Sequence, residues 1–116
     1  MDKPVIWMGQ SLKAVRNMPE DVKDEFGYAI SEGQAGRKAS YAKPMKGNLR
    51  KVTEVVADDD GNTFRAMYTT VLEGRVYVLD AFQKKATKGT ATPKKDLDRI
   101  EQRLQDAKQH YKENPP

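Results

Sequence analysis

Apolar residues in the first third of the chain predict one strand followed by two helices. Residues 3–8, Lys-Pro-Val-Ile-Trp-Met, form an apolar run typical of a strand, and Pro4 suits a strand start or a sheet edge. Ser11 and Pro19 favour the starts of two helices, Ser11 as a cap and Pro19 as a first residue. Apolar residues three or four positions apart give each helix one apolar face: Leu12, Val15 and Met18, then Val22, Phe26, Ala29 and Ile30. We expect these helices to form an antiparallel pair that packs on a sheet.

The next segment, residues 34–48, has no hydrophobic period and predicts a basic loop. Gly36, Pro44 and Gly47 interrupt it. A short strand is expected near its end, at residues 45–49.

Three further strands are predicted where β-branched and aromatic residues accumulate: residues 50–57, 63–71 and 75–83. A four-residue Asp/Gly turn joins the first two, and the two-residue loop Glu73-Gly74 joins the last two. With these loops, Arg65 lies opposite both Glu54 and Phe82, so the three side chains form a row on one sheet face.

The same pairings assign the remaining side chains to two faces. The more apolar face is expected beneath the helical pair: Thr53, Val55, Phe64, Ala66, Tyr68, Tyr77, Leu79 and Ala81. The other face carries the row and its neighbours: Val52, Glu54, Val56, Arg65, Met67, Val78, Asp80, Phe82 and Lys84.

A last helix is predicted over residues 93–113, with Thr92 as its cap and Pro93 at its first position. Its apolar residues form a narrow seam: Leu97, Ile100, Leu104, Ala107 and Tyr111. The seam fits docking on the domain, pairing with a second copy in a homodimer, or binding another protein. The whole chain, residues 1–116, then reads as one α+β domain. Its antiparallel sheet has four or five strands in β-α-α-β-β-β order, backed by the helical pair, with a C-terminal helix added.

Charge is segregated along the chain, whose formal net charge is +4. Residues 36–51 and 82–95 hold 11 of the 21 basic residues and no acidic residue. The remaining positions hold ten basic and all 17 acidic residues. Two concentrated cationic segments in an otherwise acidic chain are typical of a protein that binds a polyanion through a local surface.

The composition excludes several kinds of chemistry. The chain has no cysteine and a single histidine, His110, which we expect to be exposed. Catalytic sets such as Ser/His/Asp or Cys/His, metal sites and cofactor-binding fingerprints are therefore not predicted. The sequence has no apolar run long enough for a membrane span or a signal peptide, so a soluble cytoplasmic protein is expected.

The chemistry that the composition still supports is the binding or cleavage of RNA by arginine and lysine side chains. RNA is cleaved without a metal when its 2′-hydroxyl attacks the adjacent phosphate, provided that the protein aligns the groups and stabilises the added negative charge. Arg65 and Lys84, with Lys46, Arg50 or Lys51 across a cleft, suit that task. Glu54 is a candidate proton acceptor, and an ion pair that only orders Arg65 is the alternative.

The chain resembles the RelE/ParE superfamily of toxins, and most closely its phage-derived, HigB-type branch. The resemblance extends over about residues 3–108. The matching stretches are Ser11-Leu-Lys, Met18-Pro19, Glu54, Phe64-Arg65 with Tyr68, Val76-Tyr-Val-Leu-Asp-Ala-Phe-Gln-Lys-Lys-Ala-Thr-Lys88 and Thr92-Pro93.

The resemblance implies a small α/β domain encoded in a type II toxin–antitoxin operon. Many members of the superfamily cut mRNA on the ribosome, and the antitoxin is often a helix-turn-helix protein. By this resemblance Arg65 contacts the scissile phosphate, and Lys84 and Lys85 lie at the cleft rim. The residues expected to bind RNA are Lys43, Lys46, Arg50, Lys51, Phe82, Lys85 and Lys88. Some members use a C-terminal Tyr or His in catalysis, and this sequence has no clear equivalent.

Two other functions fit the same features. A ParE-like protein would inhibit DNA gyrase without catalysis. A phage-derived RNA-binding or interaction protein would lack toxicity altogether.

Overall fold

The computed structural model describes residues 2–84 and 92–116. In this part of the chain the elements are β1 (Val5–Trp7), α1 (Ser11–Arg16), α2 (Glu20–Gln34), β2 (Ala42–Pro44), a 3₁₀ turn (Gly47–Leu49), β3 (Thr53–Asp59), β4 (Asn62–Thr69), β5 (Val76–Lys84) and α3 (Lys94–Glu113). The predicted α+β class and the order of elements are confirmed. The short strand expected at residues 45–49 lies earlier, at β2, and the 3₁₀ turn occupies most of the expected range.

The strands form one five-stranded sheet in the order β1-β5-β4-β3-β2. The three pairs β2–β3, β3–β4 and β4–β5 are antiparallel, as predicted. The prediction of a wholly antiparallel sheet is wrong at β1, which runs parallel to β5 with Val5 opposite Val76. Short connections join β2 to β5 in sequence order. The edge strand β1 is far in the sequence from its partner β5, as a parallel pair requires.

The turn between β3 and β4 is tighter than predicted. Asp59 pairs with Asn62, so the loop consists of Asp60 and Gly61 alone, with φ angles of 48° and 78°. Two successive positive φ angles are typical of the type I′ turn that closes two-residue hairpins. Glu54 is therefore opposite Met67, not Arg65. Because the register moves by two residues, each side chain keeps its predicted face.

The hairpin of β4 and β5 contains a bulge that the sequence did not reveal. Arg65 pairs with Phe82 as predicted, but Tyr68 pairs with Val78, which leaves Leu79 as an extra residue on β5. Beyond the bulge the two faces exchange. Val78 packs under the helical pair, while Tyr77 and Leu79 pack under α3, so the predicted faces of these three residues are wrong.

Each sheet face has its own core. Helices α1 and α2 cover one face, where Val22, Phe26 and Val55 are fully buried. Helix α3 covers the other face, where Ile100 is fully buried among Met67, Tyr77, Leu79 and others. The seam of α3 thus docks on its own domain, which is one of the three alternatives that the sequence left open.

The C-terminal half of α3 is fixed by polar contacts around Tyr77. The Tyr77 hydroxyl lies 2.9 Å from Nδ1 of His110 and accepts a hydrogen bond from Arg75 at 3.1 Å. The Tyr111 hydroxyl donates to the carbonyl oxygen of Glu73 at 2.8 Å. The expectation of an exposed His110 is wrong, because its ring is half-buried and packs edge-on against Tyr77.

Two predicted helix caps have other partners in the structure. Ser11 is the first residue of α1, and its hydroxyl donates to the carbonyl oxygen of Val78 at 3.3 Å. Pro93 precedes α3, and Thr92 makes no capping hydrogen bond to it. Both hydroxyls instead bond to the sheet, so they join helices to strands and do not satisfy helix termini.

Candidate functional site

Arg65 lies at the centre of the sheet face that α3 covers. Its Nη1 donates to Glu54 Oε2 at 2.7 Å and to the Thr92 hydroxyl at 2.9 Å. The Arg65 and Glu54 side chains are 9% and 22% exposed. Strands β3 and β4 position the pair, because Glu54 and Arg65 point to the same face from adjacent strands. A buried guanidinium fixed by a carboxylate is oriented to donate hydrogen bonds to the oxygens of an anion such as phosphate.

An aromatic side chain lies beside the arginine. Phe82 of β5 is directly opposite Arg65 of β4, so the two share a face, which confirms the predicted row on this side. Val56 of β3 is opposite Arg65 on the other side and remains 37% exposed. The row therefore opens toward solvent beside Val56.

Helix α3 meets this face through a second arginine that the sequence did not single out. Arg99 Nε donates to Asp80 Oδ2 at 2.7 Å, and its Nη2 donates to Asp96 Oδ1 at 2.8 Å. Asp80 is 6% exposed and also accepts the backbone N–H of Ala81 at 3.0 Å. The Arg99 guanidinium carbon lies over the Phe82 ring, 5.5 Å from its centroid. These contacts hold the start of α3, and with it Thr92, against Arg65.

The predicted cations differ in their distance from Arg65. Lys43 of β2 is exposed and lies directly opposite Glu54, on the same face. Lys84 ends β5, one step along that face from Phe82, and is half-buried. Both therefore flank the row.

Lys46, Arg50 and Lys51 lie around the 3₁₀ turn, with exposed side chains. The carbonyl oxygen of Lys51 accepts a hydrogen bond from Thr69, four residues from Arg65 along β4. At about 3.3 Å per residue this separation is roughly 13 Å. These three cations form a separate rim, anchored on α3 by a hydrogen bond from Asn48 to Glu101 at 3.0 Å. Lys85 and Lys88, also predicted to bind RNA, lie outside the described residues.

Thr92, Asp80, Asp96 and Arg99 belong to the site and were not predicted as such. Thr92 was interpreted as a helix cap, and the Asp96–Arg99 pair reads in the sequence as a common helical ion pair. Among these four residues, only Asp80 had been placed near Arg65 by the sequence, through its predicted position on the same sheet face.

The described part of the chain offers no sign of a metal centre or a membrane segment. Across residues 2–84 and 92–116, no three His, Asp or Glu side chains gather closely enough to hold an ion. In the same residues no helix has the combination of length and hydrophobicity that crossing a bilayer requires. The chemistry of the site rests on the arginines, lysines and carboxylates described above.

Comparisons with known proteins agree with this fold. The family model described as "Phage derived protein Gp49-like (DUF891)" matches residues 13–105. One similar solved structure is a double arginine-to-alanine mutant of the E. coli toxin RelE in the free state. It has a TM-score of 0.61 and 13% identity and covers 90% of this chain and 99% of that chain.

Another is the toxin–antitoxin complex RelBE2 from Mycobacterium tuberculosis, with a TM-score of 0.50 and 12% identity over 72% of this chain and 100% of that chain. A search of curated proteins found no match. At these identities the likeness shows a shared RelE-like fold.

Proposed function

Because this chain belongs to the phage-derived Gp49-like family and has a RelE-like fold, we propose that it is the toxin of a toxin–antitoxin pair. We further propose that it cleaves mRNA on the ribosome, in the cytoplasm, without a metal or another cofactor. The HigB-type branch is the subgroup that its sequence resembles most. The toxin–antitoxin complex RelBE2 supports a cognate antitoxin as its partner, which we expect to be of the helix-turn-helix type.

The observation that carries this proposal is the buried Arg65 held by Glu54 beside Phe82. A guanidinium in this setting is pre-organised for a phosphate, and its electrostatic effect is larger than in water. In the proposed complex the scissile phosphate replaces the Thr92 hydroxyl on Arg65 Nη1. Phe82 supplies apolar surface next to it for the nucleotide.

The proposed reaction uses the RNA as its own nucleophile. The 2′-hydroxyl attacks the adjacent phosphorus and the P–O5′ bond breaks. The leaving 5′-oxygen takes a proton from solvent water, so a 2′,3′-cyclic phosphate and a 5′-hydroxyl end result. Glu54 accepts the proton of the 2′-hydroxyl, and Arg65 stabilises the negative charge that develops on the phosphate oxygens. Lys84, which flanks the row, assists in charge stabilisation.

The remaining cations guide the RNA to this point. Lys43 lies nearest, opposite Glu54. Lys51 is hydrogen-bonded to Thr69, about 13 Å from Arg65 by strand spacing. Lys51 and its neighbours at the 3₁₀ turn, Lys46 and Arg50, bind the backbone of neighbouring nucleotides and not the scissile phosphate. Phe82 lies beside this path, and together with Lys85 and Lys88 it completes the set of residues that we propose for RNA binding.

Induced expression in a bacterial host tests the function. Wild-type protein is expected to stop growth within minutes and to create new mRNA 5′ ends inside translated codons. Arg65→Ala, produced at the same level and folded by circular dichroism, is expected to do neither. Arg37→Ala is the matched control, because Arg37 is ion-paired to Glu32 on α2, away from the site.

Other outcomes would redirect the assignment. Growth arrest with intact mRNA and a DNA-damage response would indicate gyrase as the target. Salt-dependent RNA binding without arrest or cleavage would indicate an RNA-binding protein without toxicity. Full toxicity of Arg65→Ala would remove Arg65 from the mechanism.

A further inference from the structure

Two carboxylates fix the position of the Arg99 side chain at the sheet face that carries Arg65. Its Nε and Nη2 donate to two different carboxylates, on Asp80 of β5 and Asp96 of α3. The side chains of these acids are 8% and 12% exposed, so both partners are nearly buried. Hydrogen bonds from a guanidinium lie in its plane, and two of them to fixed acceptors set the orientation of that plane.

Phe82 lies on one side of the Arg99 guanidinium, and the arginine side chain is partly exposed. Phe82 lies beneath it, at 5.5 Å from ring centroid to guanidinium carbon. The side chain nevertheless remains 37% exposed. The carboxylates bind the guanidinium at its edge and Phe82 lies on one side of it, which leaves the opposite side as the surface that a ligand could contact.

The charge of Arg99 is already compensated. Partial burial lowers the pKa of Arg99, but the hydrogen bonds to Asp80 and Asp96 outweigh it and raise the pKa overall. The guanidinium therefore stays protonated and is balanced by two carboxylates. A cation neutralised in this way is a poor phosphate ligand, but its flat face still stacks on a nucleobase.

We propose that the side of Arg99 opposite Phe82 is a stacking platform for an RNA base next to the scissile phosphate. The position fits, because Arg99 covers Phe82 and Phe82 is directly opposite Arg65. The base then forms the top layer of a stack whose lower layers are Arg99 and Phe82. This inference rests on the proposed function, since it requires RNA at Arg65.

Stacking and charge predict different results for one substitution. Arg99→Lys keeps a positive charge near Asp80 and Asp96 but removes the flat face. If Arg99 stacks on a base, this variant binds RNA roughly tenfold more weakly, within the range for loss of one stacked base. If Arg99 acted only through its charge, affinity would stay close to that of the wild type.

The assay is equilibrium binding of a short single-stranded RNA whose 2′-deoxy substitutions block cleavage, measured over a range of salt concentrations. Arg99→Lys is expected to shift every affinity without changing the slope against salt. Lys46→Ala, an exposed cation, is expected to reduce that slope by about 0.7. Arg37→Lys, at the ion pair on α2, controls for the exchange itself and should bind like the wild type.

A scan with single abasic nucleotides keeps the test valid if Arg99→Lys alters the docking of α3. Wild-type protein should lose about tenfold affinity when one particular base is missing, and Arg99→Lys should lose nothing further at that position. A loss in Arg99→Lys that adds to every abasic substitution would overturn the platform, since undocking of α3 weakens all positions alike.

The outcomes separate the two proposals. Wild-type binding and cleavage together with an Arg99→Lys variant of unchanged affinity would overturn the platform and leave the nuclease assignment intact. Failure of the wild type to bind any RNA would overturn both.

Discussion

Replacing Glu54 by glutamine tests the stability and the chemistry of the Glu54–Arg65 pair together. Glu54→Gln keeps the shape of the side chain and an oxygen that accepts from Arg65, and removes the negative charge. In the variant the hydrogen bond still has a charged donor, but the guanidinium loses its counter-charge. Removing one partner of a fully buried ion pair costs about 3–5 kcal/mol, and less where the pair is partly exposed. Because both side chains are mostly buried, at 22% and 9% exposed, the free energy of unfolding should fall by about 1–2 kcal/mol.

Urea unfolding followed by circular dichroism at pH 7 measures this loss. For a chain of this length, 1 kcal/mol corresponds to roughly 4 °C in Tm. Glu20→Gln is the matched control, because the Glu20 side chain is 82% exposed in its ion pair with Lys23. Such an exposed pair contributes little, so the control should change stability by less than about 0.5 kcal/mol.

The same variant tests the proposed role of Glu54 as proton acceptor. Loss of a general base typically lowers kcat by about 100-fold or more. An unfolding free energy equal to that of the wild type would refute the energetic reasoning. Turnover within about threefold of the wild type would refute Glu54 as proton acceptor and leave it as the group that orients Arg65.

Three further predictions concern the fold. Ile100→Ala should lower the free energy of unfolding by about 2–4 kcal/mol in urea titrations, because Ile100 is fully buried between α3 and the sheet. Burial raises the pKa of the Tyr68 hydroxyl, so stability should fall as pH rises above about 10, and Tyr68→Phe should reduce that fall. Gly27→Ala on the open face of α2 should raise thermal stability by about 0.5–1 kcal/mol, whereas Gly61→Ala at φ 78° should lower it by about 1 kcal/mol.

Each of these predictions has its own contrary result. A cost below about 1 kcal/mol for Ile100→Ala would mean that α3 is not docked in solution. The sign for Tyr68 follows because the unfolded chain loses the phenolic proton first, near pH 10; equal alkaline slopes for Tyr68→Phe and wild type would contradict it. Destabilisation by Gly27→Ala would contradict the open space around that residue, since nothing lies within 4 Å of an added Cβ.

The apolar periodicity was sufficient to predict the fold where it is strong. The stripe of α2, with Val22, Phe26 and Ala29, is buried as predicted, because helical spacing leaves it one face to bury. The seam of α3 also predicted a helix with a single buried side, but several surfaces could satisfy so narrow a seam. Its docking depends on the apolar side chains of the sheet face opposite α1 and α2, against which α3 packs.

Strand register was harder to predict, because it depends on single residues in turns. The Asp60-Gly61 turn shifted the β3–β4 pairing by two residues, which preserved the faces and therefore the Glu54–Arg65 contact. The bulge at Leu79 shifted the pairing by one, which exchanged the faces of Tyr77, Val78 and Leu79. Nothing in the local sequence marks that bulge, since no glycine accompanies it.

The candidate site was predictable in its sheet residues and not in its helical ones. Arg65 and Phe82 follow from a hairpin register that holds on their side of the bulge. Thr92 and Arg99 reach the site only because α3 packs across the sheet, a contact between residues distant in the sequence. The local pattern assigned Thr92 to a helix cap, and nothing local singled out Arg99.

The parallel pairing of β1 with β5 affects how the chain folds during its synthesis. Val5 cannot pair until Val76 has been synthesised, so β1 stays unpaired while the chain between these two residues is made. Helix α3, which closes the Arg65 face, is made last of all. Contacts so distant in sequence also slow folding, because the intervening chain must first be ordered. The sheet face that carries Arg65 is therefore covered only after α3 has been synthesised.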